Sequence, residues 1–453
     1  MEILEYIKDI AKKFNQIENK KLIAIYCHND TDGICSAAII AKVFLSLDKK
    51  FFVRILKNLK AEEIENIKKE SKNFSAIFFL DFGSNFLNLF DEFETPIFII
   101  DHHYIEGEVK KDNINLINYR LFNDDYQTSA SILTYFFVSN LREFDKEKKQ
   151  QFQKIALLGL IGDNLDKNLS KLSNLFLKES ENSFIIKKGL KVFSYTRPLY
   201  KALEYSNIYI PGITGKIKNV FNFLEQLKIE TKINGKIRSL NDLSNDEISK
   251  LITAIATLRI MDNRDIDILG NVYLINIFEK IEDAREIATL INACGSLNKG
   301  YIALSFLLGK RKSKEIADEI YIKYRYEIIK GIKYFEKEIK KIKDENFLIV
   351  NLKDKVNPEL IGTIASMFIN SLDFNDFIII ALAYREDCIK VSLRSKTRNV
   401  TKILEKIKKK SNLDFEYGGH ENAAGALIKF SQEEEFLNVL KKVLAEEFMT
   451  IKI

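Results

Sequence analysis

The sequence predicts an α/β protein: an N-terminal doubly wound parallel sheet, a helical or mixed insertion, a long connecting helix and a C-terminal α/β domain. Three observations carry that reading. Short apolar runs alternate with helical patterns over the first hundred residues, as strands do with crossover helices. The stretch 312–343, rich in Lys and Glu, keeps helical spacing and is interrupted only by Gly331. The strand and helix alternation then resumes near residue 347.

Taken in order, KLIAIYC at 21–27 is a strand that ends at the polar turn HNDTDG, and ICSAAIIAKVFL after it is a helix. FFVRILK at 51–57 is the next strand and AEEIENIKKESK the next helix. The strands AIFFLD and PIFIID end at Asp81 and Asp101. Residues from about 128 to 205 read as mainly helical, with IALLGLIGDN at 155–164 delivering Asp163 at the end of an apolar helix. Breaks at Pro211-Gly212 and Asn234-Gly235 punctuate the insertion, placed at 206–311. Beyond the connecting helix, the C-terminal domain at 344–453 reads as strand 347–352, helix 358–372, strand 377–384 and strand 388–395. The basic helix TKILEKIKKK, the glycine-rich GGHENAAG at 418–425, a further strand and a last helix complete it.

Composition excludes several classes. With 453 residues the chain favours two or three domains. A hydrophobic content of 46% with 30% charged residues excludes a disordered or fibrous chain. No apolar run approaches a membrane span, and the amphipathic, acid-containing start is unlike a targeting peptide, so the expectation is a cytoplasmic protein without a membrane partner. Four cysteines lack CxxC spacing, which argues against a zinc site or a disulfide framework. The net charge of +6 permits nucleic-acid binding without requiring it.

Histidine is the most informative residue. There are only four, His28, His102, His103 and His420, and each lies in a string of chemical character. His28, Asp30 and Asp32 alternate on an extended segment at a strand end and can face one crevice. Hard divalent cations take carboxylate oxygen with some imidazole nitrogen. A single aspartate there is equally explained as a helix cap, but two with a histidine exceed what capping needs. Asp81 and Asp163, each alone, read as turn residues. The triplet Asp101-His102-His103 puts a carboxylate and two imidazoles at the same sheet edge, where parallel sheets bind ligands. In the second α/β unit, Gly418 and Gly419 allow close backbone approach to a phosphate, with His420 beside them and Arg394, Ser395 and Lys396 on a neighbouring strand end.

HNDTDG, LDFGS around Asp81, IDHH and GLIGDN resemble, in order, the four motifs of the DHH phosphoesterase superfamily. GGHENAAG resembles the signature of its companion DHHA1 domain. The resemblance spans about 20–165 and 345–450 and is greatest to the archaeal RecJ-like nucleases that associate with the GINS replication complex. It implies a DHH catalytic domain at 1–205 and a DHHA1 substrate-binding domain at 344–453. It implies two divalent cations, Mn²⁺ in preference to Mg²⁺: one on His28, Asp30 and Asp81, the other on Asp32, Asp81, His102 and Asp163. Asp101 and His103 would be catalytic, supporting the ligands and contacting phosphate. Arg394, Ser395, Lys396, Gly418, Gly419 and His420 would bind substrate. The implied activity is exonucleolytic hydrolysis of single-stranded DNA, RNA or both, in replication, repair or RNA processing. Two alternatives stay open: a phosphoesterase of short oligonucleotides or cyclic dinucleotides, and a GINS-bound scaffold with secondary nuclease activity.

Overall fold

The computed structural model describes residues 1–18, 21–122, 127–142, 148–192, 195–206, 208–339, 346–371 and 376–449. The chain divides into two compact units, Met1–Lys187 with Asn271–Tyr321, and Lys188–Gly270 with Ile322–Ile453. The stretch expected as one insertion at 206–311 is therefore shared between them, 206–270 in the second unit and 271–311 in the first.

The first unit is built on five strands: β1 (Leu22–His28), β2 (Phe51–Leu56), β3 (Phe74–Leu80), β4 (Ile97–Asp101) and β5 (Ile114–Asn118). All are parallel, in the order β2-β1-β3-β4-β5. β3 and β4 are covered on both faces, which is why they read as unbroken apolar runs. Successive side chains point to opposite faces. Phe78 accordingly stacks with Phe98 on one side, while Phe79 joins Tyr26 and Phe90 on the other. The strand order reverses between β1 and β3, so their connections leave on opposite sides and a crevice opens beyond their carboxyl ends. His28 and Asp81 stand there.

The strands that escaped the sequence reading include β5 and Ile185–Leu190. β5 carries Asn115 and Asn118 among its Ile and Leu residues. Both are buried, and Asn115 Nδ2 satisfies itself on the Ile97 carbonyl at 3.2 Å, so polarity disguised a core strand. Ile185–Leu190 is a strand inside a stretch read as helical, and its first four residues are exposed. The helix expected to deliver Asp163 runs Lys149–Gly162, with Asp163 as its C-terminal cap.

The second unit contains a mixed sheet. Phe347–Asn351 pairs parallel with Ile378–Tyr384, and antiparallel pairing continues through Cys388–Ser395, Ala423–Lys429 and Glu416–His420. Helices Val400–Lys410 and Glu433–Met449 pack with it around Leu393, Leu404, Leu440 and their neighbours. The glycine-rich string is not a loop before a strand: it forms both arms of a tight hairpin. The basic run at 406–410 is engaged locally, Lys406 and Lys410 pairing with Glu447 and Glu446 of the last helix. The connecting helix is Arg311–Ile339, and the expected end of it at 340–343 lies outside the described residues. No helix among the described residues is long and apolar enough to cross a membrane.

Gly331 explains the one interruption in that helix. A Cβ there would lie 2.3 Å from Ile364 Cδ1, so glycine lets helix Ile361–Ser371 approach closely. Gly331→Leu is expected to cost a net ~1–2 kcal/mol, overpacking outweighing the gain in helix propensity. Urea unfolding checks this, and an unchanged midpoint would show that the approach is slack.

Candidate metal centre and anion cavity

The first cluster gathers at the ends of β1, β3 and β4 and of helix Lys149–Gly162. Asp30 caps helix Thr31–Ser46, accepting from the Gly33 amide at 3.0 Å, and also lies 2.7 Å from His28 Nδ1. The capping and clustering readings of this residue are thus both true. Asp32, in the first turn, is fully buried and accepts the amides of Ala130 (2.6 Å) and Ser131 (3.0 Å) at the start of helix Ala130–Ser139. Its carboxylate is therefore aimed before any ligand arrives. Gly159 permits this, because a Cβ there would stand 2.3 Å from Asp32 Oδ1.

Asp81 is central. It follows β3 with φ +64°, a left-handed conformation that aspartate tolerates better than most residues, and its amide bonds the Ile100 carbonyl at 2.9 Å. Its Oδ2 lies 3.4 Å from His28 Nδ1, and its Oδ1 lies 3.2 Å from His102 Nε2. His102 Nε2 is also 3.3 Å from Asp163 Oδ2. Ligand atoms within 4.8 Å of one another fall into three groups: His28, Asp30 and Asp81; Asp32, Asp81, His102 and Asp163; and Asp81, His102 and His103. Asp81 belongs to every group.

Asp101 does different work. Fully buried, it accepts the amides of Ser84 (3.0 Å), His102 (2.7 Å) and His103 (3.1 Å), and its Oδ1 lies 2.8 Å from His103 Nδ1. It is thus spent on shaping the loop and orienting a half-buried imidazole. Asn118, at the end of the unforeseen β5, ties Ser84 Oγ to the His103 carbonyl (2.8 and 2.9 Å).

The electrostatics of the metal-free cluster are unfavourable. Burial pushes Asp81 and Asp163 well above the carboxylate range, and the neighbouring aspartates push further. Asp32 is raised for the same leading reason. Burial alone would lower His28, but the charges of Asp30 and Asp81 outweigh it and hold it well above the usual imidazole value. Asp30 and Asp101 are held low despite their burial, by His28 and His103 respectively. Both Asp81 oxygens are buried with no hydrogen bond. Unpaired buried carboxylate oxygen is costly, and this donor set of carboxylates and imidazoles fits hard divalent cations.

One helix behind the site gave no sequence signal. Ala284–Ser296, in the region expected as insertion, presses on the first ligand loop. Thr31 Oγ1 donates to the Ala288 carbonyl (2.9 Å) and Asn29 Nδ2 to that of Gly295 (3.1 Å). A Cβ on Gly295 would lie 1.6 Å from the Asn29 carbonyl oxygen. Arg285 of the same helix forks onto buried Asp166, three residues beyond Asp163. Two segments that carry candidate ligands are thereby fixed to one element.

The second cluster lies on the mixed sheet. A cavity of about 250 Å³ is lined by Gly362, Thr363, Lys390, Ser392 and Arg394 among others, with Glu359 paired to Lys390 at 2.8 Å. Arg394 is held by Ser366 Oγ and by the Leu393 and Ala424 carbonyls, and burial lowers its pKa to about 10, so it stays cationic at neutral pH. Ser392, two residues away on the same strand face, shares the cavity, whereas Ser395 donates to the Phe377 carbonyl and caps the following turn. Lys396 lies 3.7 Å from Asp265. Strand register puts Ser392, Gly425 and Gly418 in one row and, two residues along, Arg394, Ala423 and His420 in another. Gly419 has φ +135° and could not carry a Cβ, which would fall 2.4 Å from the Ala423 oxygen. The His420 side chain lies outside the described residues.

Comparison with known proteins agrees with this fold. Sequence-family models match at 22–162 (DHH family, N-terminal domain), 194–269 (DHH-CID domain) and 344–446 (DHHA1 domain). The chain belongs to the DHH/DHHA1 family and has its phosphoesterase fold. It is 25% identical to an uncharacterized protein of Methanocaldococcus jannaschii over 98% of this chain and 99% of the relative. In structure it is similar to CDC45 from Entamoeba histolytica (TM-score 0.70, 12% identity, 98% and 99% of the two chains). It is also similar to the exonuclease RecJ bound to manganese (TM-score 0.59, 14% identity, 97% and 94%). At these identities the two structures speak for the fold.

Two outcomes are expected. Asp81, Asp163 and His28 bind protons more tightly in the folded metal-free chain than unfolded, so that chain loses stability as pH rises through their raised pKa values. Asp30 and Asp101, held low, do not titrate near neutrality. A bound cation replaces the protons, so the gain in Tm from saturating Mn²⁺ should be larger at pH 8 than at pH 6. A gain independent of pH in thermal melts would contradict the cluster's electrostatics. Gly295→Ala, by displacing the Asn29 backbone, should weaken Mn²⁺ binding by roughly 10–100-fold in calorimetric titration.

Proposed function

We propose that this chain is a two-metal-dependent exonuclease hydrolysing phosphodiester bonds of single-stranded DNA, RNA or both, with the cytoplasm as its setting. Asp81 supports the reading most strongly: it takes part in all three candidate ligand groups, and neither of its buried oxygens is hydrogen-bonded. In this proposal His28, Asp30 and Asp81 hold one divalent cation and Asp32, Asp81, His102 and Asp163 the other, Mn²⁺ in preference to Mg²⁺. Cations bound there supply Lewis acidity toward the phosphoryl group and lower the pKa of the attacking water.

The chain's own residues do the positioning. The helix Ala130–Ser139 amides aim Asp32, and helix Ala284–Ser296 braces the loops that carry the other ligands. Asp101 orients His103, which contacts the phosphate. In the second unit Arg394 and Ser392 grip another phosphate in their cavity, next to the Gly418, Gly419 and His420 hairpin, and Lys396 adds positive charge. Ser395, first assigned to substrate, holds the turn that presents Lys396.

A second reading draws on the fold likeness to CDC45 along 98% of the chain. There the protein is a replication scaffold that associates with GINS, and hydrolysis is secondary. The decisive measurement is Mn²⁺-dependent shortening of single strands labelled at each end, with a duplex and a dinucleotide in parallel. The nuclease reading expects stepwise loss from one end of the single strand, abolished by EDTA. Asp163→Asn, which breaks no backbone contact, should lower the rate by roughly 10³-fold or more with the fold intact by circular dichroism. Preference for the dinucleotide would favour the short-oligonucleotide alternative. No cleavage, with retained capture of purified GINS, would favour the scaffold.

A further inference from the structure

Tyr104 follows His103 directly and is 73% exposed, the most exposed aromatic residue among those described. Its loop is not loose. On one side Asp101 holds the amides of His102 and His103. On the other, Ile105 packs on the core around Phe79 and Phe90, and the Glu106 amide bonds the Ser84 carbonyl at 2.9 Å. Anchors on both sides fix the backbone and turn this one ring to solvent. The Arg120 guanidinium lies over the ring at 5.1 Å from its centroid, and Arg120 Nε donates to the His102 carbonyl at 3.1 Å. The pair is thereby tied to the same carbonyl that leads into the metal-ligating loop.

A pinned, water-facing aromatic ring with a cation over it is poor core material and a good platform for a flat heterocycle. Every nucleobase offers a π-face, and a guanidinium beside the ring suits the accompanying phosphate. We propose that Tyr104 is a substrate-binding residue that stacks an unpaired nucleobase next to the scissile phosphate, with Arg120 holding the ring and attracting the adjoining phosphate. This rests on the nuclease reading and deepens it. It makes the substrate a nucleotide chain recognised through its base, and it disfavours a bare chain of phosphates. Because any base can stack, the contact favours single strands without selecting sequence, and paired bases in a duplex cannot reach it.

The test separates stacking from hydrolysis. Single strands carrying 2-aminopurine at successive positions from each end are bound to the full-length protein in Ca²⁺, and fluorescence is followed. Quenching is expected at one position near the bound end, lost in Tyr104→Ala and kept in Tyr104→Phe, with Mn²⁺ affinity the same in all three. In Mn²⁺, kcat/KM of Tyr104→Ala should fall about 5- to 150-fold, the range of a single base stack. A strand abasic at the quenched position should be cut equally by Tyr104→Ala and its parent. Quenching that survives in Tyr104→Ala, or a loss of rate equal on normal and abasic strands, would overturn the proposal. Tyrosine-dependent quenching without hydrolysis would uphold the stack and sink the nuclease reading. Hydrolysis indifferent to Tyr104→Ala would do the reverse.

Discussion

Asp81 is a buried carboxylate on a left-handed backbone, with both oxygens lacking a hydrogen bond and its pKa raised by burial and by the charges of Asp30 and Asp32. A folded chain holds such a group only if its surroundings leave no alternative. Here the surroundings are the parallel sheet itself: β3 ends in a close-packed layer, and its last turn is fastened to β4 through the Ile100 carbonyl. The strand order reverses beside it, so β1 delivers His28 and Asp30 from one side while β4 delivers the two further imidazoles from the other. Much of the fold's rigidity is used to keep like charges together.

The arrangement divides labour among chemically similar residues. Asp30 and Asp32 both sit at the start of one helix, yet Asp30 caps its own helix and Asp32 is seized by the N-terminus of another. Asp101, from the same sheet edge, saturates its oxygens on three amides and an imidazole, and is held as an anion for that reason. Asp81 and Asp163 receive no such help. The number of N–H groups that point at each aspartate thus differs sharply, from three backbone amides at Asp101 to none at Asp81.

The strands, the long helix and the chemical strings were legible because buried parallel strands are apolar throughout and their ends are polar. β5 was not, since Asn115 and Asn118 look like loop residues until the partners that satisfy them are known. Helix Ala284–Ser296 was not singled out within the expected insertion, and its place in the first unit had no local signal. Its Gly295 has meaning only against the Asn29 carbonyl, which is 266 residues away in sequence. Ser392 and Ser395 lie on one strand, and strand alternation separates them: one lines the cavity and the other holds a turn.

From sequence alone came the fold class, the family resemblance and the set of side chains able to hold divalent cations, because periodicity and residue chemistry are local properties. The tertiary structure alone decided that the buried Asp81 oxygens lack hydrogen bonds, that Asp101 is consumed by backbone amides, and that Tyr104 faces water. Those facts depend on distances and burial between segments far apart in the chain, and burial and hydrogen bonding set the energy of a charge or a ring more than its neighbours in sequence do.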